Sequence, residues 1–185
     1  MKELLHTPIF DVVELNEVEA GFKPVGVKAP DWVSVIVEDE EGRFLLVEQL
    51  RHGIASNTIE FPSGTVEKGE DPLDAAVREL AEETGLCIVD KDDVELIDVV
   101  SPNPAFMMNE KYVYYVDLGR TDYRWENQNL DEHEHIKFFW DHKLRVTQAF
   151  GKNRCTAAMF GTALLSYWNH KGLFNILGDI ENCLT

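Results

Sequence analysis

The chain has 185 residues, of which 44% are hydrophobic and 28% are charged. These values are typical of a globular domain with one sizeable core, and they argue against wholesale disorder. Acidic residues outnumber basic residues by 34 to 17, which gives a formal net charge of −17. Such a surface repels phosphate backbones and anionic lipid headgroups, so we expect no nucleic-acid partner and no membrane attachment.

Targeting signals and disulfides are not expected either. No apolar run approaches the roughly 18 residues of a membrane span, and residues 1–10 lack the basic start and apolar stretch of a signal peptide. Cys87, Cys155 and Cys183 are too few and too widely spaced for a disulfide framework or a zinc site. We therefore expect a single domain over residues 1–185 that works in a reducing cytoplasm.

Strand patterns dominate the first third of the chain. Residues 1–30 are strand-like at 9–15 and are then punctuated by Gly and Pro. Residues 32–37 alternate apolar and polar side chains, and the apolar run 44–47 follows a turn at residues 41–42. These two segments predict a β-hairpin.

The clearest helix signal covers residues 71–84. Pro72 suits the first turn, and Gly85 suits a left-handed C-terminal cap. Apolar residues at helical spacing predict the buried stripe of this helix; they are Leu73, Ala76, Val77 and Leu80.

The second half of the chain alternates strand and helix patterns. Residues 94–100, 111–118 and 136–140 predict strands, whereas the acidic residues 121–135 predict a long exposed loop. Residues 155–169 carry apolar side chains at helical spacing and predict a closing helix. This order predicts a layered α+β or α/β domain with mixed sheets.

Three carboxylates crowd one side of the predicted helix. Glu79 and Glu83 are four residues apart, and Glu82 is three residues after Glu79. Like charges at these spacings destabilise an isolated helix by about 0.2–0.5 kcal/mol per pair, so a positive partner is expected. Mg²⁺ prefers carboxylate oxygens together with substrate phosphates. The pattern therefore predicts metal-assisted attack of water on a phosphoryl group.

The spacing around these carboxylates is more specific than an acidic helix face. The window from Gly64 to Leu86 satisfies G-x5-E-x7-REUxEExGU, in which U is aliphatic, at every specified position. A chance match somewhere in the chain has a probability below roughly one in a million. This pattern is the signature of the Nudix hydrolases, which the sequence resembles. The resemblance implies a Nudix fold, an α/β/α sandwich of the α+β class with mixed sheets, a catalytic loop and helix, and a C-terminal helix.

The resemblance also implies roles for the motif residues. Mg²⁺, or alternatively Mn²⁺, would be bound by Glu79, Glu82 and Glu83, with the carbonyl group of Ser63 as an additional ligand. Glu82 and Glu83 are thereby candidate catalytic residues. The residues expected to keep the loop and helix in geometry are Gly64, Glu70, Arg78 and Gly85.

The segments before the motif resemble one group within the Nudix hydrolases. Residues 48–51 read Glu-Gln-Leu-Arg and residues 59–64 read Ile-Glu-Phe-Pro-Ser-Gly, which is similar to ADP-ribose pyrophosphatases and related nucleoside diphosphate sugar hydrolases. Ser63 stands where that group usually has Ala. The resemblance implies that Arg51 contacts phosphate or ribose and that Glu60 lines the site. A surface ion pair is the alternative for Arg51.

Further substrate contacts are implied beyond the motif. A proline about sixteen residues after it is typical of the ADP-ribose group, and Pro102 has this position, with Pro104 as the alternative. Glu110 follows in the same segment as a candidate substrate contact. Phe106 is a candidate for stacking on the base; other aromatic candidates are Phe10, Phe22, Trp32 and Tyr112.

A general base is expected on the acidic loop, because metal would occupy the carboxylates of the motif. Residues 131–135 read Asp-Glu-His-Glu-His, and the resemblance favours Glu132 as this base, with Glu134 second. A plain charged loop is the alternative. His133 and His135 are expected to be solvated rather than metal ligands.

The resemblance implies hydrolysis of ADP-ribose or a related nucleoside diphosphate sugar by a homodimer, with residues 1–30 helping to build the partner's site. The small-molecule nucleotide would be cleaved to a nucleoside monophosphate and a sugar phosphate. Other substrates stay open, namely NADH, coenzyme A, a dinucleoside polyphosphate or a damaged nucleoside triphosphate. A domain that senses nucleotide without catalysis is the hypothesis from another class.

Overall fold

The structure is a computed structural model that describes residues 1–16, 21–130, 132, 134–150 and 157–172. His133, Cys155 and Cys183 lie outside the described residues, as does the start of the predicted closing helix. Among the described residues, no helix is long and apolar enough to cross a membrane.

Strands and helices follow one another in an order close to the one expected. Besides a short 3-10 helix at Lys91–Asp93, the described elements are, in chain order, β1 (Lys2–His6), β2 (Asp11–Glu14), β3 (Val25–Lys28), β4 (Trp32–Glu38), β5 (Arg43–Arg51), β6 (Ser56–Glu60), β7 (Ser63–Thr65), α1 (Pro72–Thr84), β8 (Leu86–Ile88), β9 (Glu95–Val100), β10 (Lys111–Asp117), β11 (Tyr123–Trp125), β12 (Ile136–His142), α2 (Lys143–Phe150) and α3 (Ala158–His170).

A seven-stranded mixed sheet forms the centre of the molecule. Its main path is β12-β5-β4-β10-β9, while β6 pairs with β5 and β7 pairs with β4. Strands β4 and β10 are parallel, and the other pairs in the sheet are antiparallel. Strands β1, β2 and β3 form a separate antiparallel sheet, and β11 pairs with β8.

The central sheet forks between β4 and β5. These two strands pair at Glu38 and Phe44, next to the predicted turn. Further along, β6 occupies the free edge of β5, and β7 occupies the free edge of β4. The two arms of the fork therefore separate with distance from the hairpin turn.

A buried polar network lies at the vertex of the fork. The Glu38 carboxylate is 7% exposed and accepts hydrogen bonds from Tyr115 at 3.0 Å and Tyr167 at 2.8 Å. Lys143 Nζ donates to its other oxygen at 2.5 Å, and Lys171 Nζ lies 3.5 Å away. Although burial works in the opposite direction, these hydrogen bonds lower the pKa of Glu38. The network joins the vertex to β10, α2 and α3.

Helix α1 confirms the prediction for residues 71–84. The side chain of Asp71 accepts a hydrogen bond from the Leu73 amide at 2.9 Å, so Asp71 is the N-cap and Pro72 is the first helical residue. Gly85 has a φ of +79° and donates its amide to the Ala81 carbonyl group. Ala76 and Leu80 of the predicted stripe are fully buried, and Leu73 and Val77 pack partly buried against the same core.

Two hydrophobic cores lie on opposite faces of the central sheet. One packs α1 against the sheet and contains Val35, Leu45 and Leu80. The other packs α2 and α3 against the sheet and contains Phe44 and Tyr167, whose rings meet edge to face at 4.8 Å. The predicted α/β/α sandwich of the α+β class is confirmed.

The prediction of a continuous exposed loop over residues 121–135 is wrong in part, because β11 pairs there with β8 in the register Tyr123 to Ile88. All three residues of β11 are exposed, so the apolar signal of a buried strand is missing from the sequence. Helix α2 and the short strands β1, β3, β6, β7 and β8 were also not predicted. Strand β1 is fully exposed and α2 buries Val146 alone, so neither has a strong hydrophobic pattern.

Candidate active site

The loop before α1 lies directly against a carboxylate of the helix. A Cβ atom added to Gly64 would lie 2.0 Å from the carboxylate carbon of Glu79. A side chain here would push the carboxylate end of Glu79 aside, so glycine at this position leaves that carboxylate in place against the loop. The predicted structural role of Gly64 has this physical basis.

Glu83 is the most buried carboxylate of the motif. It is 3% exposed, and its Oε2 accepts a hydrogen bond from the Ser63 amide at 2.9 Å. Burial raises the pKa of Glu83 well above its usual value, and the charges of Glu79 and Glu134 add to this effect. Burial also raises the pKa of Glu79, although Arg78 opposes the change.

Arg78 connects the loop to the carboxylates of the helix. Its guanidinium donates two hydrogen bonds to Glu70, at 2.9 and 3.0 Å, and one to the Thr65 carbonyl group at 3.0 Å. Nη1 donates to Glu79 at 2.9 Å and to Glu82 at 3.0 Å. The structure brings Glu70 and Arg78 together in the way expected of residues that maintain the loop and helix.

The donor set of the motif fits a hard divalent cation. Glu79, Glu82 and Glu83 offer carboxylate oxygens, which Mg²⁺ and Mn²⁺ accept, and Arg78 supplies one positive charge among them. Because Arg78 holds the carboxylates of Glu79 and Glu82, these side chains would turn away from it to bind a metal ion. Among the described residues, the side-chain donors that already lie within 4.8 Å of one another are elsewhere, at the exposed N-terminal group of Glu3, His6 and Asp11.

A cavity of about 560 Å³ lies between the arms of the fork. Ser63, Gly64 and Thr65 of the motif loop form one part of its wall, and Arg51 and Glu60 form another. Ser63, a predicted metal ligand, therefore shares one cavity with Arg51 and Glu60, two of the predicted substrate contacts. The predicted metal ligands Glu79, Glu82 and Glu83 are not among the residues that line it.

Arg51 and Glu60 form a bidentate ion pair inside this cavity. Nε and Nη2 of Arg51 donate to the two carboxylate oxygens of Glu60, each at 2.8 Å, and Thr58 donates to Glu60 Oε1 at 2.6 Å. Although burial works in the opposite direction, these hydrogen bonds lower the pKa of Glu60. Arg51 does form an ion pair, which was the alternative to a substrate contact. This pair, however, lies in the wall of the cavity.

Glu134 is electrostatically coupled to the motif carboxylates. Its charge raises the pKa of Glu79 and of Glu83, and it also raises the pKa of Arg51. Glu132 and Glu134 are both exposed. Of these two candidate bases, Glu134 is the one whose charge is among the main influences on the pKa values of the three groups.

The loop before Glu134 is tied to the end of α1. Gln128 Nε2 donates to the Glu83 carbonyl group at 2.5 Å and to the Ile136 carbonyl group at 3.4 Å. The Asn129 amide donates to the Glu82 carbonyl group at 3.0 Å. These bonds satisfy carbonyl groups that a helix end leaves without partners. A Cβ atom at Gly85 would meet the Glu126 carbonyl oxygen at 2.2 Å, so this glycine also permits the approach of the loop.

The predicted contacts after the motif do not line the main cavity. Phe106 lines a second cavity of about 540 Å³, which shares Trp32 and Thr65 with the first. The Glu110 carboxylate accepts a hydrogen bond from Tyr112 at 3.1 Å. Pro102 is half-buried in the segment between β9 and β10 and lines neither cavity.

Sequence reasoning missed three side chains near the site: Thr58, Lys111 and Gln128. Thr58 alternates with Glu60 on β6, and this spacing was available as a signal. Lys111 begins an otherwise apolar strand and looks like an ordinary exposed strand end. Gln128 carries no signal, because its two carbonyl partners come from distant backbone.

Known proteins resemble this chain at the level of sequence. A "Methanol dehydrogenase activator" from Bacillus methanolicus is 35% identical over 127 residues, which are 68% of this chain and 65% of the relative. An "ADP-ribose pyrophosphatase" from Bacillus subtilis strain 168 is 41% identical over 73 residues, or 40% of this chain and 39% of the relative. An "RNA pyrophosphohydrolase" from Psychrobacter cryohalolentis is 31% identical over 112 residues, or 57% and 60%. In each case the match spans less than two thirds of the relative.

The fold is also known from a solved structure. The crystal structure of an ADP compounds hydrolase covers 92% of both chains with a TM-score of 0.69, at 18% sequence identity. At this identity the similarity shows the fold alone, and it agrees with the mixed sheets and flanking helices described above. The NUDIX domain family model matches residues 29–155, well over half of the chain. The motif geometry, the fold and this match lead to one conclusion: the chain belongs to the NUDIX domain family.

Proposed function

We propose that the protein hydrolyses the pyrophosphate bond of ADP-ribose or of a related nucleoside diphosphate sugar, with Mg²⁺ or Mn²⁺ as cofactor. The observation that carries this proposal is the position of Glu83. Its buried carboxylate is held by the Ser63 amide, and Ser63 lines the cavity that contains the Arg51–Glu60 pair. The name of the Bacillus subtilis relative supports the choice of substrate.

The proposed reaction assigns a task to each group. Glu79, Glu82 and Glu83, with the Ser63 carbonyl group, would hold the cofactor, which would neutralise phosphate charge and acidify a water molecule. The guanidinium of Arg51 binds a phosphate or ribose oxygen at the opening of the cavity. Water attacks one phosphorus atom, and the bond from that phosphorus to the bridging oxygen breaks. A nucleoside monophosphate and a sugar phosphate leave.

Glu134 is the proposed general base, and Glu132 is the second candidate. The coupling of Glu134 to Glu79 and Glu83 supports this order. Its carboxylate takes the proton of the attacking water and, because it lies on a loop, can close over the substrate. Pro102, Phe106 and Glu110 stay candidates for contacts with the base or sugar; for Phe106 this contact would lie in the second cavity.

Product analysis tests the proposal. The protein is incubated with ADP-ribose and Mg²⁺, with and without a chelator, and the products are separated by chromatography. Parallel tubes contain UDP-glucose, GDP-mannose, NADH, a dinucleoside polyphosphate and a 5′-triphosphorylated RNA. AMP and ribose 5-phosphate that form only with metal are the expected result. Cleavage confined to another tube would identify that compound, and not ADP-ribose, as the substrate. Cleavage of the RNA is not expected, because a protein with a net charge of −17 repels a polyanion.

Binding without turnover is the outcome that would favour a nucleotide-sensing role. The name of the Bacillus methanolicus relative describes an activator of another enzyme. If every tube stays intact while ADP-ribose still binds, the carboxylate helix serves ligand binding, and the hydrolysis proposal is wrong.

We further propose a homodimer formed through the N-terminal sheet. All five residues of β1 are exposed, and apolar side chains of this region are left in solvent, including Leu4, Leu5 and Ile9 at 48%, 54% and 74% exposure. Such a surface is typical of a protein interface. Light scattering coupled to gel filtration should give twice the chain mass, and Leu5→Lys should shift the mass to that of a monomer. A monomeric wild-type protein would contradict this proposal.

A further inference from the structure

Lys111 is a buried cation that the proposed reaction leaves without a task. It is the first residue of β10 and pairs in register with Trp32 of β4, so it lies where the fork opens. The residue is 5% exposed and lines the main cavity. Its Nζ donates a hydrogen bond to the Met159 carbonyl group at 3.3 Å.

The charges around Lys111 do not balance it. Among the described residues that line the cavity, Arg51, His52 and Lys111 are basic and Glu60 is acidic. Arg51 engages both carboxylate oxygens of Glu60, and Thr58 donates to one of them. Glu60 is therefore already matched by Arg51, and Lys111 adds a further positive charge to the cavity. Burial lowers the pKa of Lys111 to about 8, with attraction to Glu60 opposing the change and Arg51 reinforcing it.

The start of α3 contributes positive potential to the same cavity. Ala157, Ala158 and Met159 line it, and the N-cap Ala157 provides no side-chain hydrogen bond to the helix. The first amide groups and the dipole of this 13-residue helix favour a nearby anion. Three basic residues, the carboxylate of Glu60 and a helix start therefore line the cavity, in a chain whose overall charge is strongly negative.

We propose that Lys111 is a specificity-determining residue that binds a phosphate oxygen of the substrate inside the cavity, beside Arg51. The inference rests on the proposed function and deepens it, since Lys111 lies outside the motif and its flanking segments. Because both carboxylate oxygens of Glu60 are engaged by Arg51, a phosphate group would supply the further negative charge that compensates Lys111. A ligand without phosphate cannot compensate the buried ammonium group in this way and is selected against.

Binding of phosphate ligands without metal tests Lys111 separately from catalysis. Titration calorimetry is carried out in chelator with inorganic phosphate and with AMP, on the wild-type protein, Lys111→Met and Lys91→Met. Lys91 is the control because its ammonium group is paired with Asp74 and it lines neither the main cavity nor the second cavity. Lys111→Met should weaken both ligands about tenfold or more, and Lys91→Met should bind like the wild type.

A measurement on the wild-type protein avoids dependence on the folding of the variant. Lysine labelled with ¹³C at Cε reports the titration of each ammonium group by NMR, and Lys111→Arg assigns the signal. Added phosphate should move the Lys111 titration to higher pH. The proposal is overturned if this titration does not move, if the wild-type protein does not bind phosphate, or if folded Lys111→Met binds as tightly as wild type.

The outcomes separate this inference from the proposed function. Loss of phosphate binding in Lys111→Met supports the subsite even if no nucleotide is hydrolysed in the product analysis. Conversely, normal metal-dependent hydrolysis with unchanged KM and kcat in Lys111→Met would overturn the subsite and leave the proposed reaction in place.

Discussion

At the scale of single residues, Glu83 combines the deepest burial in the motif with a hydrogen bond to backbone. Its carboxylate is charged at neutral pH only against a strong desolvation penalty, so a bound cation is the natural partner of the charged form. We expect Glu83→Gln to fold normally and to lose about 10²-fold or more of its turnover. Chromatographic product analysis with ADP-ribose and Mg²⁺ measures this loss.

The same variant has a defined effect on stability in chelator. Because the pKa of Glu83 is higher in the folded chain, the folded chain keeps this proton at pH values where the unfolded chain has released it. The free energy of unfolding therefore falls as the pH rises from about 4.5 through the raised pKa. Glu83→Gln removes this part of the pH dependence and should be more stable than wild type at pH 7. Urea unfolding at several pH values measures the difference.

Glu67→Gln is the matched control for both measurements, since Glu67 lies exposed in the same motif loop. It should behave like the wild type. Near-normal turnover of Glu83→Gln would show that this carboxylate does not bind the cofactor.

Some residues of the site could be predicted from the sequence and others could not. The carboxylates of the motif and Arg78 could be predicted because their spacing along one helix is itself the signal. Lys111 could not, because its partners, Glu60 and Met159, are distant in sequence and meet it only through the parallel pairing of β4 with β10.

At the scale of elements, the end of α1 and the loop before β12 act as one unit. Gln128 bridges the Glu83 and Ile136 carbonyl groups, so it fixes the loop that carries Glu134 relative to the carboxylates. We expect Gln128→Ala to lower kcat about tenfold and the free energy of unfolding by about 1 kcal/mol. Steady-state kinetics and urea unfolding measure the two effects.

Asn127→Ala is the control for the loop itself, because Asn127 is an exposed neighbour of Gln128. If both variants lower kcat equally, the loss comes from any substitution in this loop, and the hydrogen bonds of Gln128 do not position Glu134. An unchanged kcat in Gln128→Ala would contradict the positioning role directly.

Longer elements with a buried face could be predicted from their hydrophobic patterns, whereas short or exposed elements could not. Helix α1 and strands β4, β9 and β10 match their predicted bounds to within one residue at each end, and the predicted apolar run 44–47 covers four buried residues of the longer strand β5. Strand β11 is exposed on all three residues, and its formation depends on pairing with β8. Burial of an element produces a hydrophobic pattern in the sequence, whereas pairing between exposed strands does not.

At the scale of the whole molecule, the fork of the central sheet joins the site to the opposite end of the fold. Its vertex is Glu38, whose carboxylate is held by groups from β10, α2 and α3. We expect Glu38→Gln to lower the free energy of unfolding by about 3 kcal/mol, since Lys143 would lose its partly buried counter-charge. Urea unfolding measures this loss.

The same variant should also raise KM for the nucleotide substrate, because β4 and β5 diverge from the Glu38–Phe44 pair and both carry residues of the cavity wall. Glu40→Gln, an exposed change in the same hairpin turn, should leave KM and stability unchanged. A Glu38→Gln protein that is less stable but has a wild-type KM would show that the vertex and the cavity are independent.

Strands β4 and β5 pair at a single position, Glu38 with Phe44, and beyond it β7 pairs with β4 and β6 pairs with β5. Backbone pairing therefore fixes the spacing of the strands that carry part of the cavity wall. We expect a change at Glu38 to be transmitted along β4 and β5 to this wall. Substitutions around Glu38 therefore offer a route to an altered substrate range that leaves every residue in contact with the nucleotide unchanged.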